Sequence, residues 1–367
     1  MNANTPRPGP AEWEEAARLL SGTARDLPVG RHEQHKERLM AHIEQARRTQ
    51  DSPPAPAKDR RVRLPRPAIA LPALAAVLAA AVVAGTAMSG GDGDGDGSGL
   101  LAAGPALTTR LGATSPDGVT RLLDQVSLAA AEDDHPAVGA GQYVYIESKT
   151  ADTFVKTVGD KSSLASYPLH KRQVWHSADG TKGWLIDPAV NDSPEGETLS
   201  LPDEQGNTPV AGLNNPSYDY LAKLPTDPDA LLSKIYRETK GQGNSPDQEA
   251  FTTIGDLLGE SYPPPALSKA LFKAAAKIPG VVTVNDAVDA AGRHGVAVAR
   301  LDETSGQREE WIFDGKTHVF LGERSVQVRK VRGPEAELVK PGTVLFTSAI
   351  LRRAVVDGMK QVPTQAG

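Results

Sequence analysis

The stretch REEWIFDGKTHVFLGE, residues 308–323, consists of two runs of alternating character separated by Asp314-Gly315. An alternation with a period of two places successive side chains on opposite faces of a β-strand. Asp-Gly between two such runs is a strong signal for a β-hairpin. Because the two strands of a hairpin are antiparallel, this stretch predicts that the domain around it is built on an antiparallel sheet.

A second hairpin is predicted upstream. RQVWHSADGTKGWLID, residues 172–187, places Trp175 and Trp184 on either side of a Gly/Asp-rich turn, and aromatic side chains that face one another across two strands stabilise a sheet. QYVYIESK, residues 142–149, also alternates in the manner of a strand. Further strands are predicted in GVAVARLDE (295–303) and TVLFTSAILRRAVVDG (343–358).

Three helices are predicted between these strands. LPTDPDALLSKIYRE has Asp227 as its N-cap and Pro228 at the first helical position, the places that these residue types favour. EAFTTIGDLLGE (249–260) and PPPALSKALFKAAAKIPG (263–280) carry their large apolar residues on one helical face. This order of strands, helices and strands predicts an α+β domain over residues 101–367, whose curved antiparallel sheet is covered on one side by helices.

A membrane-spanning helix is predicted before that domain. AIALPALAAVLAAAVVAGTAM, residues 68–88, contains no charged residue, and at about 1.5 Å per residue it matches a hydrocarbon core about 30 Å thick. Basic residues precede it and aspartates follow it, so the positive-inside rule predicts a plasma-membrane protein with a cytoplasmic N-terminus and an extracytoplasmic C-terminal domain. The basic residues that flank the predicted span most closely are Arg60, Arg61, Arg63 and Arg66.

Two other interpretations of this apolar stretch are less consistent with the sequence. A cleavable secretory signal has its charged region at the extreme N-terminus, not after more than 60 residues. A core helix of this length normally carries a polar stripe, which is absent from the sequence here. The single span therefore remains the expectation.

The segment SGGDGDGDGSGL, residues 89–100, is predicted to be a flexible linker. Counted from Asp92, its first positions match a calcium loop of the EF-hand type. Position 12 of that loop, where a bidentate glutamate belongs, is Ala103. A calcium site is therefore the weaker alternative.

The N-terminal segment, residues 1–50, is predicted to form two short amphipathic helices on the cytoplasmic side. Such helices are marginal alone, and their apolar stripes indicate a protein partner. Residues 51–67 form a Pro-rich basic tether that anionic lipid attracts. The residues predicted to bind the partner are Trp13, Leu20, Leu39, Met40 and Ile43.

The sequence carries none of the common signatures of an enzyme. It has no cysteine, which excludes thiolate chemistry and the usual thiolate zinc sites. It contains no Gly-x-Ser-x-Gly, no Ser-x-x-Lys and no Walker loop, and its histidines are scattered. We therefore expect a protein without catalytic activity, cofactor or metal, and without direct contact to nucleic acid.

Several ordered blocks resemble one family. LPTDPDALL, FTTIGDLLGESYPPPALSKALFKAAAKIPGV and DAAGRHGVAVARLD, together with the preceding span, resemble actinobacterial single-pass membrane proteins that are commonly found near extracytoplasmic-function sigma factors. The resemblance implies an anti-sigma-like regulatory role without assigned catalytic residues. It also implies an outer domain similar to the half-barrel of lipoprotein carriers and of periplasmic regulators of anti-sigma factors.

The chain departs from the zinc-binding anti-sigma domains because it lacks their His-x-x-x-Cys-x-x-Cys signature. Any contact with a sigma factor or another regulator would have to come from the two N-terminal helices. An envelope-signalling regulator with an outer sensing domain is therefore the first functional expectation. The alternative is a tethered extracytoplasmic module that binds an apolar ligand or an envelope protein, with the N-terminal segment only an anchor, and a purely structural envelope protein is the third possibility.

Overall fold

An open antiparallel sheet organises the described part of the chain in this computed structural model. The described residues are 60–62, 101–132, 136–158, 161–199, 210–330 and 337–364, with the backbone alone at 60–62 and 157–158. They belong to one unit, Lys58–Gly367, and the other unit, Met1–Ala57, lies outside them. All paired strands are antiparallel, as the hairpin patterns predicted.

The strands follow one another through the sheet in the order β3-β9-β10-β11-β12-β13-β4-β6-β7-β8, and β1, β2 and β5 lie beside the end of β4. The long strand β4 reaches both groups, because it pairs with β13 and β6 along its first part and with β5 along its last. The bounds are β1 (Arg60–Val62), β2 (Gly104–Pro105), β3 (Thr114–Ser115), β4 (Tyr143–Val158), β5 (Lys161–Ser166), β6 (His170–Ser177), β7 (Gly183–Ile186), β8 (Glu197–Thr198), β9 (Val281–Val288), β10 (His294–Leu301), β11 (Gln307–Asp314), β12 (Phe320–Gln327) and β13 (Val344–Val356).

Three helices lie where the sequence predicted them, between the first strands and the last, whereas the helix at Val119–Glu132 and the short helix at Tyr218–Leu221 were not predicted. Asp227 caps the third helix as predicted, its Oδ1 accepting a hydrogen bond from the Ala230 backbone N–H at 2.9 Å, and Pro228 opens that helix. The helices of the described residues are α1 (Val119–Glu132), α2 (Tyr218–Leu221), α3 (Pro228–Glu238), α4 (Pro246–Gly259) and α5 (Pro265–Ala275).

Helices α4 and α5 pack on one face of the sheet, which we call the helical face. Trp311 of β11 stacks on Phe251 of α4, with ring centroids 3.8 Å apart and planes inclined by 5°. Phe313 meets Phe272 of α5 edge to face at 5.6 Å. Gly255 permits this approach, since a Cβ there would lie 2.5 Å from the Trp311 Nε1. The prediction of an α+β fold with a large antiparallel sheet is confirmed.

The opposite face of the sheet is covered near β11 and β12 by the segment that precedes β3. A buried ion-pair triad lies beneath it: Glu310 contacts Arg308 at 2.7 Å through one carboxylate oxygen and Arg324 at 2.7 Å through the other. The two arginines then reach outward, Arg308 to the Gly112 carbonyl and Arg324 to the Thr109 hydroxyl. The triad therefore ties the first described segment of the domain to the sheet.

The predicted tryptophan hairpin is also confirmed. Trp175 and Trp184 are direct partners in the pairing of β6 with β7. Trp175 packs against Tyr145 and donates its indole N–H to the Gln361 carbonyl at 2.7 Å. In addition, the Lys360 ammonium lies 3.4 Å from the centroid of the Trp184 ring. The chain segment after β13 thus crosses back over this face of the sheet.

Connections between strands follow the glycine and aspartate signals. Gly292, between β9 and β10, has a φ of +81°, a conformation that glycine adopts without steric cost. The turn at Asp314-Gly315 is longer than a two-residue hairpin loop, because β12 begins only at Phe320. Asp314 stabilises it by accepting hydrogen bonds from the backbone N–H groups of Lys316 and Thr317.

The predicted membrane span, residues 68–88, and the linker, residues 89–100, lie outside the described residues. Among the residues that are described, no helix is both long and apolar enough to cross a membrane. The strand β1, which includes Arg60 and Arg61, pairs with the end of β4.

Candidate ligand-binding pocket

A pocket opens on the helical face where α4 ends. Its floor is formed by β4, β6 and β13, one wall by the last turn of α4 and the residues up to Tyr262, and the other by the segment that contains α2. It encloses about 80 Å³. The pocket therefore lies beside the helices that cover β9 to β12, over the part of the sheet that α4 and α5 leave uncovered.

Strand alternation makes the floor of this pocket mainly apolar. Val144 and Ile146 of β4 and Val174 of β6 point into it, whereas Tyr145 and Trp175, which lie between them in sequence, point to the opposite face. Apolar side chains from the α2 segment and the residues after α4 complete the lining: Leu213, Tyr218, Leu221 and Tyr262. A largely apolar cleft with a few polar groups is the usual form of a small-molecule site.

Arg172 brings a buried cation to the floor. Its side chain is only 9% exposed, and its Nε lies 3.6 Å from an oxygen of Asp187. Burial lowers the pKa of the Arg172 guanidinium, and the charges of Glu260, Asp187 and Asp152 act against that shift. Arg172 therefore lies among carboxylates that balance its charge.

Asp187 is fixed in turn by His170. The His170 Nε2 lies 2.9 Å from Asp187 Oδ1, and the Ala189 backbone N–H donates to the same oxygen at 2.9 Å. Burial acts to raise the Asp187 pKa, but the hydrogen bond and charge of His170, with the Ala189 N–H and the charge of Arg172, together lower it. Asp187 is thus a stable carboxylate that positions Arg172.

His176 lies at the other end of the floor, on the same strand face as Arg172 and Val174. Burial, together with the nearby positive charge of Arg172, lowers the pKa of His176 to about 4. His176 is therefore neutral at pH 7 and offers the pocket a polar but uncharged group.

Asp256 faces the pocket from the last turn of α4. Burial raises its pKa well above the usual range, and carboxylates of neighbouring residues raise it further, with Glu260 and Glu323 the largest contributors. Within the described part of the chain, no hydrogen bond reaches the Asp256 carboxylate. Glu309, also under α4, is different, because it accepts hydrogen bonds from Thr252 at 2.6 Å and from Trp311 at 3.1 Å.

The residues predicted to form a site lie elsewhere in the chain. Trp13, Leu20, Leu39, Met40 and Ile43, and the flanking Arg63 and Arg66, lie outside the described residues. Arg60 and Arg61 are described through their backbone only. The predicted calcium alternative at residues 92–96 lies outside as well, and the described ranges contain no cluster of acidic, histidine or cysteine residues with the arrangement of a metal site.

Sequence reasoning did not single out the polar residues of the pocket. Arg172 and His176 were present in the predicted hairpin, and their alternation with Val174 already placed all three on one face. Asp256 was present in the predicted helix α4, beside the apolar stripe. The missing information was which face of β6 and which side of α4 would meet, because this depends on contacts distant in sequence.

Comparisons with known proteins add little to this description. No protein-family profile matches the chain, and no curated protein matches it in sequence. Among solved structures, the MucA/MucB complex of Pseudomonas aeruginosa is similar over 68% of this chain, with 12% identity and a TM-score of 0.24. This chain spans 61% of the length of the chain that it matches. A TM-score this low does not define a shared fold.

The residues that line this pocket are suited to binding a small molecule. The pocket combines an apolar floor, a charge-balanced arginine and a carboxyl group whose charge is disfavoured by its surroundings. Such a combination can hold an amphipathic molecule in one orientation, since the apolar and polar groups lie on different sides of it.

Proposed function

We propose that the chain is a non-enzymatic single-pass membrane regulator whose C-terminal domain senses an apolar or amphipathic molecule. The observation that carries the sensing role is the pocket between the sheet and the end of α4, with its floor of Val144, Ile146 and Val174. In this proposal the half-barrel anticipated from the family resemblance corresponds to the open sheet and its covering helices.

The regulatory part of the proposal rests on the N-terminal sequence. The resemblance to actinobacterial proteins found near extracytoplasmic-function sigma factors supports an anti-sigma-like role, and the two apolar stripes of residues 1–50 supply a surface for the partner. The partner in this proposal is a sigma factor or another cytoplasmic regulator.

The membrane topology in this proposal places the N-terminal segment in the cytoplasm and the domain outside. It requires that β1 separates from β4, because residues on opposite sides of a membrane cannot pair. The support for this topology is the uncharged stretch at residues 68–88 and the basic residues before it.

We expect the full chain, expressed with a tag in its native host, to copurify with an extracytoplasmic-function sigma factor. The double variant Leu39→Asp and Ile43→Asp is expected to lose the sigma factor, because two charges on the apolar stripe remove the surface that it contacts. The matched control is Glu37→Asp and Glu44→Asp, which changes neighbouring polar positions. Equal recovery by all three proteins would contradict a role for the stripe.

Filling the pocket provides the test of sensing. Ser148 lines the pocket and is buried at 3% exposure, and we expect Ser148→Leu to reduce the affinity for hexan-1-ol at least ten-fold by occupying the floor. The control is Lys149→Leu on the opposite face of the same strand. Calorimetry on the full chain measures both affinities, and unfolding curves check that each variant is folded. An unchanged affinity in Ser148→Leu would count against the pocket.

A tethered binding module without a cytoplasmic partner is the second candidate. The same pocket supports it, and the Gly/Asp-rich linker is consistent with a freely moving domain. Pocket-dependent ligand binding combined with no specific sigma factor in the copurification would favour this candidate.

A further inference from the structure

The position of Asp256 distinguishes one side of the pocket from the rest. Its carboxylate faces the pocket, and among the residues that the structure describes none donates a hydrogen bond to it. Nearby carboxylates have donors: Glu309 accepts from Thr252, Gln248 and Trp311. Asp256 is thus a carboxyl group of the α4 wall that lines the pocket without a donor among the described residues, and Glu260 lines the same wall.

The surroundings of Asp256 disfavour its negative charge in two further ways. It lies in the last turn of α4, at the C-terminal end of the helix. This end carries the negative pole of the helix dipole, which stabilises cations and disfavours a carboxylate. The Arg353 guanidinium already contacts this helix end through the carbonyls of Leu258 and Gly259. The charged groups around Asp256 are Glu249 and Glu260 of its own segment, Glu309 of β11 and Glu323 of β12, with Arg172 across the pocket on β6 and Arg353 on β13.

The cation on the floor does not remove this excess of negative charge. Arg172 lies 3.6 Å from Asp187 and also interacts with the charges of Glu260 and Asp152. Its charge is therefore balanced within the protein. A positive group that entered the pocket from solvent would meet Asp256 on the helix side and apolar side chains on the floor.

We propose that the pocket takes a cationic amphiphile, with an ammonium or guanidinium group against Asp256 and an apolar body against Val144, Ile146 and Leu213. This inference rests on the proposed function, since it assigns the ligand class of the same pocket. The cation would relieve the repulsion among the carboxylates and the helix end, and the apolar body would bury surface that the floor exposes.

The test compares three probes of equal chain length: hexylammonium, hexanoate and hexan-1-ol. On the full chain at pH 7.5, we expect calorimetry to give hexylammonium an affinity at least ten-fold higher than that of the other two. Asp256→Asn is expected to abolish this preference by lowering the affinity for hexylammonium to about that for hexan-1-ol, because the amide retains the size of the carboxyl group but not its charge. The control Asp229→Asn, at an exposed position near the start of α3, should keep the preference.

The variant also has an independent check of folding. Because the pKa of Asp256 is raised by burial and by its acidic neighbours, the folded state disfavours the ionised carboxyl at neutral pH. Asp256→Asn should therefore be more stable than the original chain at pH 7.5, and the difference should shrink as the pH falls towards the ordinary range of a carboxyl group. A less stable variant at pH 7.5 would contradict this description of Asp256.

The outcomes separate the two proposals. Equal affinities for all three probes, with binding still lost in Ser148→Leu, would overturn the cationic preference and leave the sensing pocket intact. A preference for hexanoate would also overturn it, and would assign the head group to Arg172. If none of the probes bound, the proposed function would itself fail.

Discussion

Replacing Glu310 with alanine is expected to lower the free energy of unfolding by about 3–5 kcal/mol, the cost of removing one partner from a buried ion pair. Glu310 is fully buried, and its two carboxylate oxygens contact Arg308 and Arg324, each at 2.7 Å. Without Glu310 two guanidinium groups remain close together under the N-terminal segment of the domain, with no carboxylate between them. Urea unfolding of the full chain, followed by circular dichroism, measures the change.

The control for this prediction is a glutamate–arginine ion pair at the protein surface. Glu303 contacts Arg329 at the surface, with side chains 67% and 52% exposed. Glu303→Ala is expected to cost less than about 1 kcal/mol, because water screens both charges. Similar losses for Glu310→Ala and Glu303→Ala would mean that the buried triad contributes no more than a surface contact.

The second large effect is expected from Trp311→Ala, again about 3–5 kcal/mol, as for other buried aromatic residues cut back to alanine. Trp311 is fully buried and stacked on Phe251 with ring centroids 3.8 Å apart. Its indole N–H also donates to Glu309 at 3.1 Å. The variant would leave a cavity under α4 and a carboxylate with one donor fewer.

Trp184→Ala is the matched comparison for Trp311→Ala. Trp184 also lies in a strand, but it is only partly buried, and its ring is covered by the Lys360 side chain. Trp184→Ala should destabilise the domain less than Trp311→Ala, because the Trp184 side chain buries less apolar surface in the folded domain. The same urea curves measure both variants, and a larger loss for Trp184 would show that α4 is not held to the sheet through Trp311.

The signalling proposal carries a physical constraint. The linker predicted from the Gly/Asp-rich sequence at residues 89–100 would transmit a rigid conformational change poorly. A ligand in the pocket would therefore act more effectively by changing the access of proteases or the clustering of domains. Both mechanisms need only that the ligand stabilises the folded domain or alters its surface.

Much of the fold could be predicted because its signals are local. The alternation in residues 308–323 and the tryptophans of residues 172–187 specified hairpins, and a hairpin needs only its own turn and strands. Asp227 and Pro228 specified the start of α3 for the same reason. The length of the Asp314-Gly315 connection was not predicted: the register of β11 and β12 shifts between Ile312 and Phe313, so that Phe313 pairs with Phe320.

The pocket could not be predicted in the same way. Arg172 and Asp256 are 84 positions apart in sequence, and the helices α2 and α3 lie between them in the described part of the chain. Their meeting depends on α4 seating against Trp311 through Gly255, and on β4 and β6 lying next to β13.

By itself the sequence determined the antiparallel character of the sheet, the positions of α3, α4 and α5 with the Asp227 cap, and the absence of cysteine chemistry, since each depends on residue type and short-range spacing. Tertiary structure alone decided the order of the strands, the burial of the Arg308–Glu310–Arg324 triad and the gathering of Arg172, His176 and Asp256 around one pocket. The physical reason is that charges and apolar faces far apart in the chain gain or lose free energy only through the partners that packing brings to them.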